Sequence, residues 1–171
     1  MPIPTTSYRF PEKLLRLAGD VAQACRVRRL RLATAESCTG GLIAACLTEI
    51  PGVSEIYLGG FVTYANEAKV RDLAVPEEFL KSHGAVSREV AVAMAEGAQK
   101  RTGAEIAVAV TGIAGPGGAT AEKPVGLVHV AAARTAAATR HERHVFPGDR
   151  NAIRLAAAET ALALALLAAT G

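Results

Sequence analysis

The run Ile106-Ala107-Val108-Ala109-Val110 constrains the fold most. It is continuously apolar and rich in β-branched residues. A strand of this kind is buried on both faces, which requires a sheet covered by helices on both sides. The rest of the chain supplies those helices. Pro11 to about Arg29 reads as a helix, with proline in its first turn and Leu14, Leu17, Val21 and Ala24 as apolar positions. Leu30 to Ala35 is a strand, a helix runs from about Thr39 to Glu49, and Pro51-Gly52 breaks it. Ile56 to Tyr64 is a strand holding Gly59-Gly60; Asn66 to Leu73 and Pro76 to Lys81 are short helices. Ser87 caps a helix from Arg88 to Arg101, and Gly103 ends it. A Gly/Pro-rich loop, Gly112 to Pro124, precedes strands at Val125 to Ala133 and Arg140 to Phe146. Pro147-Gly148 leads into the last helix, Ala152 to Ala169. Strands separated by helices predict an α/β fold, and the two adjacent late strands make its sheet mixed.

At 171 residues, half of them hydrophobic, the chain forms one domain, 1–171. Aromatics are 4% and tryptophan is absent, so the core is built from Ala, Val, Leu and Ile. A net charge of +3 suits an anionic substrate but falls short of the concentrated basic field of a nucleic-acid binder. The one basic cluster, Arg26, Arg28, Arg29 and Arg31, falls where cations complement a helix C-terminus. Cys25, Cys38 and Cys46 show no C-x-x-C spacing and cannot all pair, which predicts a reducing, cytoplasmic setting. Met1 to Phe10 lack the order of a signal peptide. The last helix is very apolar, but Arg154 and Glu159 interrupt it and its uncharged part is too short to span a bilayer. It reads as a buried core helix, and no membrane partner is expected.

Chemistry concentrates at Thr34-Ala35-Glu36-Ser37-Cys38-Thr39-Gly40-Gly41, a strand-to-helix turn. Free N–H groups at a helix start bind anions and oxyanions, and glycine admits a close approach. In open α/β sheets ligands bind outside the carboxyl ends of the strands. Three such ends carry polar groups: Ser37; Thr63-Tyr64-Ala65-Asn66 with Lys69 a turn later; and Thr111-Gly112-Ile113-Ala114-Gly115-Pro116-Gly117-Gly118. If the strands are parallel neighbours, these groups share one crevice.

Each residue also has a plainer role. Ser37 is either a nucleophile or a helix cap. Cys38 is either a rival nucleophile or a small buried hydrophobe. Lys69 is either a base, if burial depresses its pKa, or a surface cation. Tyr64 either relays a proton to the serine or lies at a rim. No Ser-His-Asp order stands out among His83, His129, His141 and His144. The loop at 112–118 matches neither G-x-x-x-x-G-K-[ST] nor G-x-G-x-x-G. Arg150 and Arg154 are candidate phosphate clamps or surface cations. No His, Cys, Asp and Glu cluster has metal-ligand spacing, so neither metal nor cofactor is expected.

Taken together, T-A-E-S-C-T-G-G (34–41), P-G-V-S (51–54), G-G-F-V-T-Y-A-N-E-A-K (59–69), H-G-A-V-S (83–87), T-G-I-A-G-P-G-G (111–118), K-P-V-G (123–126) and G-D-R-x-x-I-R (148–154) resemble the C-terminal domain of the competence/damage-inducible CinA proteins, the nicotinamide-nucleotide amidase family. The resemblance covers nearly the whole chain in order. It implies a three-layer α/β/α sandwich with a mixed, mostly parallel sheet, often in homo-oligomers. It implies deamidation of nicotinamide mononucleotide (NMN) to nicotinate mononucleotide and ammonia, with Ser37 as nucleophile and Tyr64 and Lys69 beside it. Substrate and oxyanion contacts are then expected from Cys38, Thr39, Gly40, Gly41, Asn66, Thr111, Gly112, Gly115, Gly117, Arg150 and Arg154. Longer relatives carry an N-terminal pyrophosphatase-like domain; this chain begins about where the amidase domain does, so that second activity is not expected of it. Two other classes remain open: a different amidase or a cysteine hydrolase using Cys38, and a non-catalytic nucleotide-binding module in DNA uptake or damage response.

Overall fold

The computed structural model describes residues 9–171; the signal-peptide reading of Met1 to Phe10 lies mostly outside them. Helix α1 (Glu12–Arg28) leads to strand β1 (Leu32–Glu36), helix α2 (Leu42–Thr48), a 3-10 turn at Val53–Glu55 and strand β2 (Tyr57–Val62). Helices α3 (Asn66–Leu73), α4 (Glu77–His83) and α5 (Arg88–Thr102) follow. Strands β3 (Ile106–Gly112), β4 (Leu127–Arg134) and β5 (Arg140–Val145) and helix α6 (Arg150–Thr170) complete the chain. The sheet order is β2-β1-β3-β4-β5. Strands β2, β1 and β3 are mutually parallel; β4 runs against β3, and β5 against β4. Four of the five strands therefore point one way, which makes the sheet mixed but mostly parallel, as expected.

Strand alternation sorts side chains onto the two faces. Leu32, Ile106, Val108, Val110, Val128 and Val130 meet the layer of α1, α2 and α6. Ala33, Ala35, Ala107, Ala109, Ala131 and Ala133 meet α5 and its neighbours α3 and α4. The run Ile106 to Val110 is fully buried, as its composition requires. By length and hydropathy α6 could cross a membrane, but half of its apolar window is buried, with Ile153, Ala157, Ala161, Leu162 and Ala165 in the core. It is the core helix the sequence predicts.

The basic cluster divides. Arg26 and Arg28 do close α1, but Arg28 also donates to Ala169 O (2.8 Å), and Arg31 belongs to an ion pair with Glu105 (2.7 Å). Ser87 and Gly103 bound α5 as predicted: the serine accepts from Val90 N, and the glycine adopts the left-handed conformation.

Candidate active site

The parallel register sets Glu36 level with Val62 on one side and Val110 on the other. The carboxyl ends of β1, β2 and β3 therefore meet, and their loops enclose a cleft of about 210 Å³. Ser37, Cys38, Tyr64, Lys69, Thr111, Gly112 and Arg150 line it, with Ala85, Val86 and Ala114. The shared crevice expected from the sequence is present.

Ser37 is anchored to β3 by its own N–H, which donates to Val110 O (3.0 Å). Lys69 comes from α3 and is only 1% exposed. Its Nζ stands 3.2 Å from Ser37 Oγ and donates to Thr63 O (2.7 Å) and Tyr64 O (3.3 Å). No carboxylate pairs with it among the described residues. Burial therefore pushes its pKa below the usual lysine value, because the loss of solvation of the ammonium outweighs the opposing influence of Cys38. A buried amine in this state can take a proton from a hydroxyl at hydrogen-bond distance.

Cys38 has the opposite character. Its thiol is buried and pushed up to about 11, first by desolvation; nearby Glu36 also raises it, while Arg154 and Lys69 pull the other way. It is a poor source of thiolate.

Tyr64 gives Lys69 its carbonyl, while its hydroxyl is at the mouth of the cleft and accepts from Arg150 Nη2 (3.1 Å). Arg150 Nη1 donates to Gly115 O (2.8 Å), so this arginine joins the β2 and β3 loops over the opening. Thr111 Oγ1 donates to Ala85 O (2.8 Å) and fixes the cleft wall. Gly112 is required by space: a Cβ there would meet Val128 Cγ2 at 2.7 Å, Leu127 O at 2.9 Å and Cys38 Sγ at 3.2 Å.

Other expected residues stand elsewhere. Asn66 is exposed at the start of α3 and faces a separate groove with Glu67, Val70 and Leu80. Gly117 is exposed and outside the cleft. Thr39 is buried with its hydroxyl unpaired. Arg154, half-buried, turns two of its donors onto backbone: Nε gives to Cys38 O (3.1 Å) and Nη2 to Thr39 O (2.8 Å).

The residue that sequence reasoning missed is Glu36. Its buried carboxylate accepts from Gly41 N (3.0 Å), Ile43 N (3.1 Å) and Ala44 N (2.9 Å). Gly40 N donates to Ser37 O (3.0 Å). The donors expected from Gly40, Gly41 and the helix start are thus already occupied. The signal was available: a carboxylate a few residues before a helix start can cap it.

The fold and the site define a three-layer α/β/α domain with a buried serine–lysine pair at the carboxyl end of its parallel strands. The chain belongs to the CinA C-terminal domain family, whose model matches residues 14–169. It is 55% identical over 134 residues to a CinA-like protein of Akkermansia muciniphila, covering 78% of this chain and 32% of the relative. It is 55% identical over 156 residues to a putative competence-damage inducible protein of Symbiobacterium thermophilum, covering 86% and 37%. The chain thus spans about a third of the length of these curated relatives. The crystal structure of the competence/damage inducible protein CihA from Agrobacterium tumefaciens superposes with a TM-score of 0.92 at 48% identity, covering 96% of this chain and 99% of that one. The competence damage-inducible protein A (ComA) from Klebsiella pneumoniae gives 0.86 at 38% identity, covering 90% and 95%.

Proposed function

We propose that this domain is an amidase that deamidates NMN to nicotinate mononucleotide in the cytoplasm. The observation that carries the reading is the buried Ser37–Lys69 pair at 3.2 Å, with the lysine bound, among the described residues, only to that hydroxyl and two carbonyls. Ser37 Oγ attacks the carboxamide carbon while its proton passes to neutral Lys69 Nζ. The C–N bond then breaks, the proton moves to the departing nitrogen, and ammonia leaves an acyl ester on Ser37. Water attacks the ester, gives its proton to Lys69, and the serine oxygen leaves with that proton. The cationic pyridinium ring draws electrons from the amide and eases the first attack. The phosphate fits against Arg150, whose guanidinium lies at the mouth beside Tyr64. The mechanism requires no metal or cofactor.

The test is ammonia release from NMN without added metal. Wild type is expected to turn over, and Ser37→Ala to lose about 10³-fold or more while melting at a similar temperature. Cys38→Ala is expected to keep most activity, because its thiol is protonated. Full activity in Ser37→Ala sinks the mechanism. NMN binding without ammonia from wild type favours the nucleotide-binding module instead.

A further inference from the structure

Nearly every N–H of the turn between β1 and α2 is engaged. Ser37 N donates to Val110 O, Gly40 N to Ser37 O and Leu42 N to Thr39 O, while Glu36 takes those of Gly41, Ile43 and Ala44. No backbone carbonyl or side-chain oxygen takes the amides of Cys38 and Thr39 among the described residues, the Cys38 N–H meeting only its own sulfur.

The bond from Gly40 N to Ser37 O closes a four-residue turn with Cys38 and Thr39 at its centre. Neither has a positive φ, which excludes types II, I′ and II′ and leaves type I geometry. In that geometry the two central N–H groups point to one side and the two carbonyls to the other, as in the first turn of a helix. The carbonyl side is clamped by Arg154, through Nε to Cys38 O and Nη2 to Thr39 O. A peptide unit is planar and trans, so its C=O and N–H point opposite ways. Fixing Cys38 O therefore aims the Thr39 N–H. In the same manner Ser37 O, held by Gly40 N, aims the Cys38 N–H.

We infer that the N–H groups of Cys38 and Thr39 hold the oxyanion formed when Ser37 is acylated, and that Arg154 is the positioning residue that keeps the turn in this orientation. This rests on the Ser37 reading above. It gives Arg154 a role other than the phosphate clamp suggested by the sequence, because its Nε and Nη2 hold the carbonyls of the turn. It also explains why a residue of α6, more than a hundred positions away, belongs to the site.

The experiment uses a fluorophosphonate probe as well as NMN. Ser37 Oγ forms the bond to phosphorus, fluoride leaves, the serine proton goes to Lys69, and the phosphoryl oxygen occupies the donors. Labelling rate at Ser37, read by mass spectrometry, thus reports the turn without any nucleotide. Arg154→Met is expected to slow labelling about 100-fold. Its kcat for NMN falls by a similar factor with KM within about twofold, the mark of an interaction made only in the transition state. Nicotinamide riboside, which lacks the phosphate, should suffer the same loss. Arg154→Lys keeps the charge but not the two-pronged fork, so it should lie between the two; it carries the test if the methionine variant does not fold. Wild-type labelling rates in a folded variant overturn the inference. So does a loss confined to KM for NMN that spares the riboside, since that describes a phosphate clamp. Wild type that labels at Ser37 yet releases no ammonia refutes NMN as substrate, and slower labelling in the Arg154 variants then still supports the positioning role. Failure of wild type to label at Ser37 overturns the nucleophile and this inference together.

Discussion

Lys69 places an amine where an ammonium is poorly solvated, and that fact has both a catalytic and a stability consequence. Only the neutral amine accepts the serine proton, so kcat/KM is expected to rise with pH and level off once Lys69 has lost its proton. The midpoint should lie below the ordinary lysine value, because burial lowers it. Lys69→Arg keeps a cation that does not deprotonate; it should lose about 10³-fold or more and show no such rise. Stability has its own sign. Below the folded pKa both states hold the proton. Between that pKa and the usual value, 10.5, the unfolded chain binds more protons, so the lysine's contribution to stability rises with pH across this window. Melting temperatures of wild type and Lys69→Met, followed upward from neutral pH, should converge or cross in that sense. A rate profile with no rise at any pH up to the ordinary lysine value, 10.5, in a protein that stays folded would assign the base elsewhere.

Helix α2 shows how one carboxylate shapes an element. It has only seven residues and no side chain at the usual capping position. Glu36 substitutes for a cap by accepting three of the first N–H groups from the end of β1. Glu36→Gln keeps the shape, but its NH₂ must face at least one of these donors. A buried donor left unsatisfied costs about 1–3 kcal/mol and the lost charge-assisted bonds add to this. Denaturant unfolding should therefore show about 2–4 kcal/mol of destabilisation; a change within about 0.5 kcal/mol, the range of an ordinary surface substitution, would contradict this role. The same detail marks how far the sequence could be read. The α/β alternation, the buried strand at 106–110 and the convergence of three strand ends follow from period and burial, which are local signals. The start of α2 does not: a helix expected from about Thr39 begins at Leu42, because Gly40 and Gly41 both take positive φ while Glu36 seizes the donors behind them. Likewise β4 begins at Leu127 and not Val125, since Gly126, at φ +92°, packs against the backbone of Phe146. The reach of Arg154 back to residues 38 and 39 is a tertiary contact with no local pattern. Ser37 and Lys69 were legible because both follow strand ends by a few residues; Asn66 shares that proximity but faces away.

The two helical layers stand on the sheet differently, and this bears on the distance from Lys69 to Ser37. The face of α1, α2 and α6 packs through Leu, Ile and Val, whereas the face of α5 packs largely through alanine on both sides. Small side chains let α5 sit close, and α3 is seated against it in turn. At their crossing is Gly97: a Cβ there would come within 2.0 Å of Leu73 O and 3.0 Å of Leu73 C. Leu73 is the last residue of α3, the helix that carries Lys69. Backbone cannot rotate away as a side chain can, so Gly97→Ala forces α3 outward by roughly 1.5 Å to reach ordinary contact. That shift takes Lys69 Nζ beyond hydrogen-bond reach of Ser37, from which it now stands 3.2 Å. Gly97→Ala should cost about 1–3 kcal/mol of stability by overpacking, and the folded protein should lose on the order of 10²-fold in kcat from misplacement alone. Gly19, in α1, is the control. Among the described residues nothing lies within 4 Å of a Cβ built on it. Gly19→Ala should therefore stabilise by about 0.5–1 kcal/mol through helix propensity, raise the melting temperature by roughly 2–3 °C, and leave turnover unchanged. Ammonia release and thermal melting on the two variants decide the matter. If Gly97→Ala melts like Gly19→Ala, the close seating of α3 is not under the control of α5. If it is destabilised but turns over normally once folded, the position of Lys69 does not depend on that crossing.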